Sequence, residues 1–144
     1  MNSPNQSLRL LQAGVTLFLV AVLLGLAIPC FTVPRLALSA HLVGILQGLF
    51  LVAVGLLWSR LTLTATQLKI THWLVVYQAI AAFLSNLLAG AWGAGNSIIP
   101  MAAGASHGTT SQEVVINIGL RSAGVALIVS LALMLWGLRR APHE

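Results

Sequence analysis

The chain has 144 residues, 58% of them hydrophobic and only 6% charged, with a mean hydropathy of +0.97. Charge this sparse cannot cover the surface of a water-soluble domain, so lipid is the expected solvent for most of the chain. The net charge of +5 rests on seven scattered lysines and arginines, which form no basic face for nucleic acid and instead mark the ends of apolar runs.

In chain order, Met1–Arg9 reads as a short polar tail. Residues 10–33 carry no charge and exceed the ~20 residues that a bilayer core requires. Pro29 and Pro34 close this run, and Arg35 falls in the first loop. Cys30 is the single cysteine, so no disulfide framework and no CxxC metal or redox motif exists. The residue before it is Pro29, not the small residue of a lipoprotein cleavage site. The run is also longer than the ~7–15 residues of a signal-peptide core, which makes it a retained span. Ser39 is placed to cap a second span, 40–59, which finishes at Trp58-Ser59-Arg60 with an interfacial aromatic and a charge.

Leu61–Lys69 is a threonine-rich connector, and residues 70–92 form the third span. Residues 93–112 are glycine- and alanine-rich, with Pro100 and His107. Helix connections usually take ~2–8 residues, and segments this much longer tend to be lids or binding loops. Thr110-Ser111-Gln112-Glu113 matches a capping box and starts the fourth helix near Ser111. That span covers 114–138, and Arg139-Arg140 and a tail with His143 follow.

Four spans put both termini on one side. Arg9, Arg60, Lys69, Arg139 and Arg140 then oppose Arg35, so the positive-inside rule places both termini in the cytoplasm. The expected architecture is an all-α, single-domain, integral membrane four-helix bundle.

At 100° per residue, His41, Gly44, Gly48 and Gly55 share a narrow stripe of the second helix, with Gln47 on its flank. This stripe is either a close-packed helix seam with a histidine at headgroup level or part of a site. Gln78, Ala82, Ser85 and Asn86 share a face of the third helix, where interhelical hydrogen bonding competes with direct chemistry. Tyr77 and Trp73 lie on other sides and read as packing or interfacial aromatics. Glu113, Asn117, Arg121 and Gly124 line up on the fourth helix. Arg121 is the one charge well inside a span and needs an acceptor: Asn117, a loop carbonyl, a neighbouring helix, Glu113, or an anionic ligand such as a cofactor carboxylate. His41, Asn86, Arg121 and the long loop all fall in the outer half.

Several chemistries lack their residues. No span has a carboxylate at its middle, which disfavours proton-coupled transport. The chain has no Walker loop, no HExxH, no GxSxG and no paired acids. Of the imidazoles, His72 and His143 fall at the cytoplasmic end and read as interfacial. His41 and His107 are the candidates for ligand or acid–base roles.

Ala40-His41-Leu42-Val43-Gly44, Gly48, Trp58, Tyr77, Ala91-Trp92-Gly93-Ala94-Gly95, Pro100-Met101-Ala102-Ala103-Gly104, His107-Gly108 and Gln112-Glu113 together resemble the hydroxylaminobenzene mutases over nearly the whole chain. Those small bacterial membrane proteins isomerise hydroxylaminobenzene to 2-aminophenol in nitroarene degradation. Ala40-His41 followed by Gln47-Gly48 is also similar to the styrene oxide isomerases, which have Ala-His and then Asn-Gly. In that family the histidine is the axial ligand of haem b, held between subunits of a trimer, and ferric iron acts on the substrate oxygen as a Lewis acid. The similarity implies His41 as iron ligand, Gln47 as polar neighbour of the open coordination site, and Asn86 in place of that family's pocket tyrosine.

The reading that follows is a multi-pass isomerase of the bacterial inner membrane, acting on arylhydroxylamines. It implies His41 as ligand of haem b, Arg121 as partner of a haem propionate, and Gln47, Asn86 and His107 in the catalytic pocket. Weakening the N–O bond calls for a Lewis-acidic iron or a proton donor at the oxygen; without metal, His107 is the candidate acid. Four short helices with polar faces imply a homo-oligomer, a trimer by the styrene oxide isomerase similarity. A small transporter or channel subunit for a neutral aromatic or amine, and a structural membrane subunit, are the competing readings.

Overall fold

The computed structural model describes residues 4–139, which form four long helices and one short one. Helix α1 spans Pro4–Ala27, α2 Pro34–Leu57, α3 Ala65–Trp92, α4 Pro100–Ala103 and α5 Thr110–Arg139. Single 3₁₀ turns follow α1 at Ile28–Cys30 and α2 at Trp58–Arg60. The four long helices are each long and apolar enough to cross a membrane.

Successive long helices are antiparallel, and each packs mainly on its sequence neighbours in the order α1–α2–α3–α5. The helix ends at Pro4 and Arg139 therefore share one end of the protein. Arg9, Arg60, Lys69 and Arg139 lie toward that end and Arg35 toward the other. Arg140 and His143 lie outside the described residues.

Local chemistry places several boundaries where the sequence reading did not. The expected polar tail is helical from Pro4, and Ser7 Oγ donates to the Gly55 carbonyl of α2 at 2.9 Å. Pro29 turns the end of α1 into the 3₁₀ turn, whereas Pro34 opens α2 as its first residue, where a missing N–H costs nothing. Ser39 is therefore not a cap: it sits in the second turn of α2, and its hydroxyl bonds back to Arg35 O at 3.4 Å. The connector is shorter than expected because Thr64 and Gln67 form a reciprocal capping box that starts α3 at Ala65.

The cap of α5 falls one residue before the expected Thr110–Glu113 box. Thr109 Oγ1 accepts from Gln112 N at 3.4 Å, and Thr109 N–H donates to Gln112 Oε1 at 2.8 Å. Glu113 is thereby released for another task, described below.

The α1–α2 seam is a backbone contact. A Cβ on Gly14 would lie 2.7 Å from Gly48 O, and one on Gly48 2.8 Å from Gly14 O. Small residues at this spacing let two membrane helices approach and gain dispersion contacts that lipid does not supply. Gly44 lets α3 join the same level, since a Cβ there would lie within 2.6 Å of Ala21 Cβ and 2.7 Å of Phe83. The α3–α5 seam uses Ser85 under Gly119 and a Tyr77 Oη···Ser122 Oγ bond of 2.8 Å.

Two apolar clusters hold the ends. Leu10, Leu51, Val54, Trp58, Leu61, Leu68 and Val75 pack at the end that carries both termini. His72 is buried there, edge-on to Trp58 and Trp73 with centroids 5.9 and 5.8 Å away, so it is a core histidine and not an interfacial one. At the outer end Leu36, Ala89, Ala94, Ala103 and Ile116 gather the segment between α3 and α5 onto the helices.

Candidate active site

His41 lies in the α1–α2 seam. Its Nδ1 is 2.6 Å from the Ala21 carbonyl of α1. A carbonyl oxygen can only accept, so Nδ1 carries the proton, and the neutral tautomer that fits this contact has its lone pair on Nε2. No described residue bonds Nε2. The ring fits because Gly25 has no side chain: a Cβ there would lie 2.8 Å from Cε1 and 2.9 Å from Nδ1. A backbone carbonyl holding one ring nitrogen while the other stays open is the arrangement that orients a metal-ligating histidine.

The donors around His41 fit one kind of metal group. Among the described residues no three of His, Cys, Asp and Glu gather to hold a metal ion. Haem, which brings four nitrogens of its own, requires only an axial imidazole from the protein. A single half-buried histidine with a free Nε2 meets that requirement.

The structure separates the other expected site residues instead of gathering them around His41. Gln47 faces α3, where its Oε1 accepts from Gln78 Nε2 at 2.9 Å. It stands about 9 Å from His41 along the axis of α2. Gln78 is 1% exposed, so this pair is a buried interhelical bond. Asn86 is buried on α3, where its Nδ2 donates to Ala82 O at 2.9 Å and its Oδ1 accepts from no described residue. His107 is exposed on the outer segment and has no hydrogen bond among the described residues.

Arg121 is exposed on α5, in a stripe with Ile118, Val125 and Ile128 that are 62%, 62% and 68% exposed. It bonds neither Glu113 nor Asn117, and no other described residue. A guanidinium on an apolar, membrane-depth face needs an anion or another chain to cover it.

Glu113 has the opposite situation. Its Oε1 accepts from the backbone N–H of Gly95 at 2.8 Å, Asn96 at 3.3 Å and Gly108 at 3.3 Å. Its Oε2 accepts from Ser97 N at 3.2 Å and Ser97 Oγ at 2.9 Å. Five donors fill the roughly four lone-pair positions of a carboxylate and favour its ionised form. The sequence hinted at none of this, because Glu113 matched a capping box and its partners lie in a loop that has no periodicity.

Two of the depressions among the described residues bear on these side chains. An apolar groove of about 400 Å³ runs between α1 and α3 over Leu51, lined by Leu17, Val20, Val76, Ile80, Phe83 and Leu84 with Gln12 and Thr16. Its outer end, at Val20 and Phe83, is beside the Gly44 contact, one helical turn from His41. A second depression of about 250 Å³ lies at the first turns of α5, between Ser97, Glu113, Val114, Asn117 and Ile118.

Helices of membrane-spanning length, an imidazole with one nitrogen tied and the other open, and apolar space nearby describe a small polytopic membrane enzyme. The chain belongs to the styrene oxide isomerase family, whose pattern it matches over residues 6–139. It is 46% identical over 134 residues to hydroxylaminobenzene mutase HabB of Ectopseudomonas oleovorans, covering 93% of this chain and 82% of that one. It is 35% identical over 131 residues to HabA of the same organism, covering 91% and 97%. No solved structure matches at a significant level. The protein is an isomerase.

Proposed function

We propose that the chain is an intramolecular hydroxyl-transfer mutase that converts hydroxylaminobenzene-type arylhydroxylamines to 2-aminophenols. The observation that carries this reading is the 46% identity to HabB over 93% of the chain. The reaction breaks the N–O bond, forms a C–O bond at the ortho carbon and returns the displaced ring hydrogen to nitrogen as a proton. No oxidant or reductant is consumed. The substrate is a neutral arene, and apolar grooves without a fixed charge suit it better than an ionic ligand.

His41 would hold haem b through Nε2, a role supported by the Nδ1 bond to Ala21 and the space left by Gly25. When bound, the haem supplies a Lewis acid for the hydroxylamine oxygen. Arg121 supplies the counter-charge for a propionate, which would account for a guanidinium without a partner in its own chain. Gln47, through the amide group not used by Gln78, and Asn86, through its open Oδ1, are assigned to hydrogen-bond the hydroxylamine. His107 is assigned as proton donor to the departing oxygen, and it carries the cleavage alone in the route that uses no metal.

The exposed apolar faces of α2 and α5 fit a homo-oligomer, with a trimer as the working number. The charge distribution supports a bacterial inner-membrane topology with the start of α1 and the end of α5 on the cytoplasmic side. The exposed Cys30 then labels with an impermeant maleimide on intact cells, and no labelling would reverse the orientation.

The test is detergent-purified protein assayed for conversion of hydroxylaminobenzene, with absorption spectra oxidised and dithionite-reduced. The expected result is 2-aminophenol and a Soret band with stoichiometric haem. Turnover by a colourless protein removes the haem and leaves His107 as the acid. Transport of unchanged arene across sealed vesicles, without product, overturns the mutase reading.

A further inference from the structure

We infer that Glu113 is a positioning residue of the reaction: its carboxylate locks the segment 93–109 so that His107 is presented from a fixed frame. This rests on the reading of His107 as proton donor above. Glu113 is the one acidic side chain among the described residues, yet it touches neither Arg121 nor any other cation. All its acceptor capacity goes to a single stretch of chain, through backbone N–H groups at both ends of it.

The bond from Gly108 N–H fixes the peptide that joins His107 to Gly108. Thr109 N–H is held by Gln112 on one side, and Ser106 N–H donates to Ala103 O at 3.1 Å on the other. The backbone on both sides of His107 is thus tied down, while its imidazole is exposed and bonded to nothing described. Asn96 Nδ2 donates to Gly104 O at 2.9 Å and closes the segment on itself. Ala94 and Ala103 seat its apolar side on Leu36, Ala89 and Ile116. With the backbone held this way, only the side-chain rotations of His107 are left to be ordered when substrate arrives, which is how positioning lowers a barrier.

A carboxamide cannot replace the carboxylate. In Glu113→Gln one oxygen becomes an NH₂ group. It then faces either the Ser97 N–H or the three N–H groups on the other oxygen, donor against donor. Glu113→Asp keeps both acceptors on a shorter arm.

The experiment compares wild type, Glu113→Gln, Glu113→Asp, His107→Ala and Glu113→Gln/His107→Ala as full-length protein in detergent. Each is measured for hydroxylaminobenzene turnover and for amide hydrogen exchange over residues 93–109. Glu113→Gln should exchange at least tenfold faster in this segment and lose at least tenfold in kcat, with partial recovery in Glu113→Asp. The double variant should be no slower than His107→Ala alone, since a residue that acts through His107 has nothing left to position. Where Glu113→Gln fails to fold, Ser97→Ala removes one donor and should shift exchange and kcat in the same direction by less. Unchanged kcat with faster exchange, unchanged exchange, or losses that multiply in the double variant overturn the proposal. A wild type that makes no 2-aminophenol brings down the mutase reading instead; the lock is then still seen in the exchange data, but it serves no such reaction.

Discussion

The α1–α2 seam and the outer cap are held by opposite means. In the seam, Gly14 and Gly48 bring two backbones into contact, and His41 occupies space that Gly25 leaves open. In the cap, a single carboxylate gathers four backbone N–H groups and a hydroxyl from residues 95–108. The seam is steric: backbone and ring fit where side chains are missing. The backbone donors of the cap converge on one ion. The protein thus fixes His41 by shape and the backbone around His107 by charge.

Five substitutions sharpen this contrast, beginning with the largest effect. His41→Ala should abolish haem retention, with loss of the Soret band, and leave the exchange of residues 93–109 as in wild type. A full haem spectrum in pure His41→Ala protein would sink the ligand assignment. Gly25→Ala should give the same loss in weaker form, because its methyl group occupies the position of the ring.

Gly48→Ala comes next. Overpacking a tight contact costs about 1–3 kcal/mol, so thermal denaturation in detergent should fall by several degrees at low and high salt alike. An unchanged melting temperature would mean that the helices shift apart without penalty and that the seam is not rigid. Glu113→Gln should show the complementary pattern, with local exchange changed more than melting.

Arg121→Leu is the mildest for stability, since no described group loses a partner. Binding of the cofactor or substrate should weaken by about five- to tenfold, roughly 1–1.4 kcal/mol, as for one surface charge-assisted contact. Unaltered affinity would make the residue structural, covered by another chain.

Much of the fold was legible because it follows from solvent and period. Apolar runs of spanning length, flanked by charges, specify four helices and their alternation. The stripe His41–Gly44–Gly48–Gly55 pointed to a close seam for the same reason, since only small residues on one face allow backbone contact. What was illegible depended on choices between local equals. Residues 109–113 read Thr-Thr-Ser-Gln-Glu, so two overlapping capping boxes were possible. The Glu113 bonds to the distant Gly95 and Ser97 settle which is used. Tyr77 reads as a packing or interfacial aromatic, and its bond to Ser122 was illegible because that partner lies 45 residues away.

The sequence by itself determined a membrane protein of four antiparallel helices with His41 on a glycine-lined face, because hydropathy and helical period are local properties. Only the tertiary structure decided that Nδ1 of His41 is tied to Ala21, that Gln47 turns toward Gln78, that Glu113 is spent on the cap and that Arg121 is left uncovered. Each of those depends on which groups distant in sequence come within about 3 Å, the range in which hydrogen bonds form, and only the packed chain sets that.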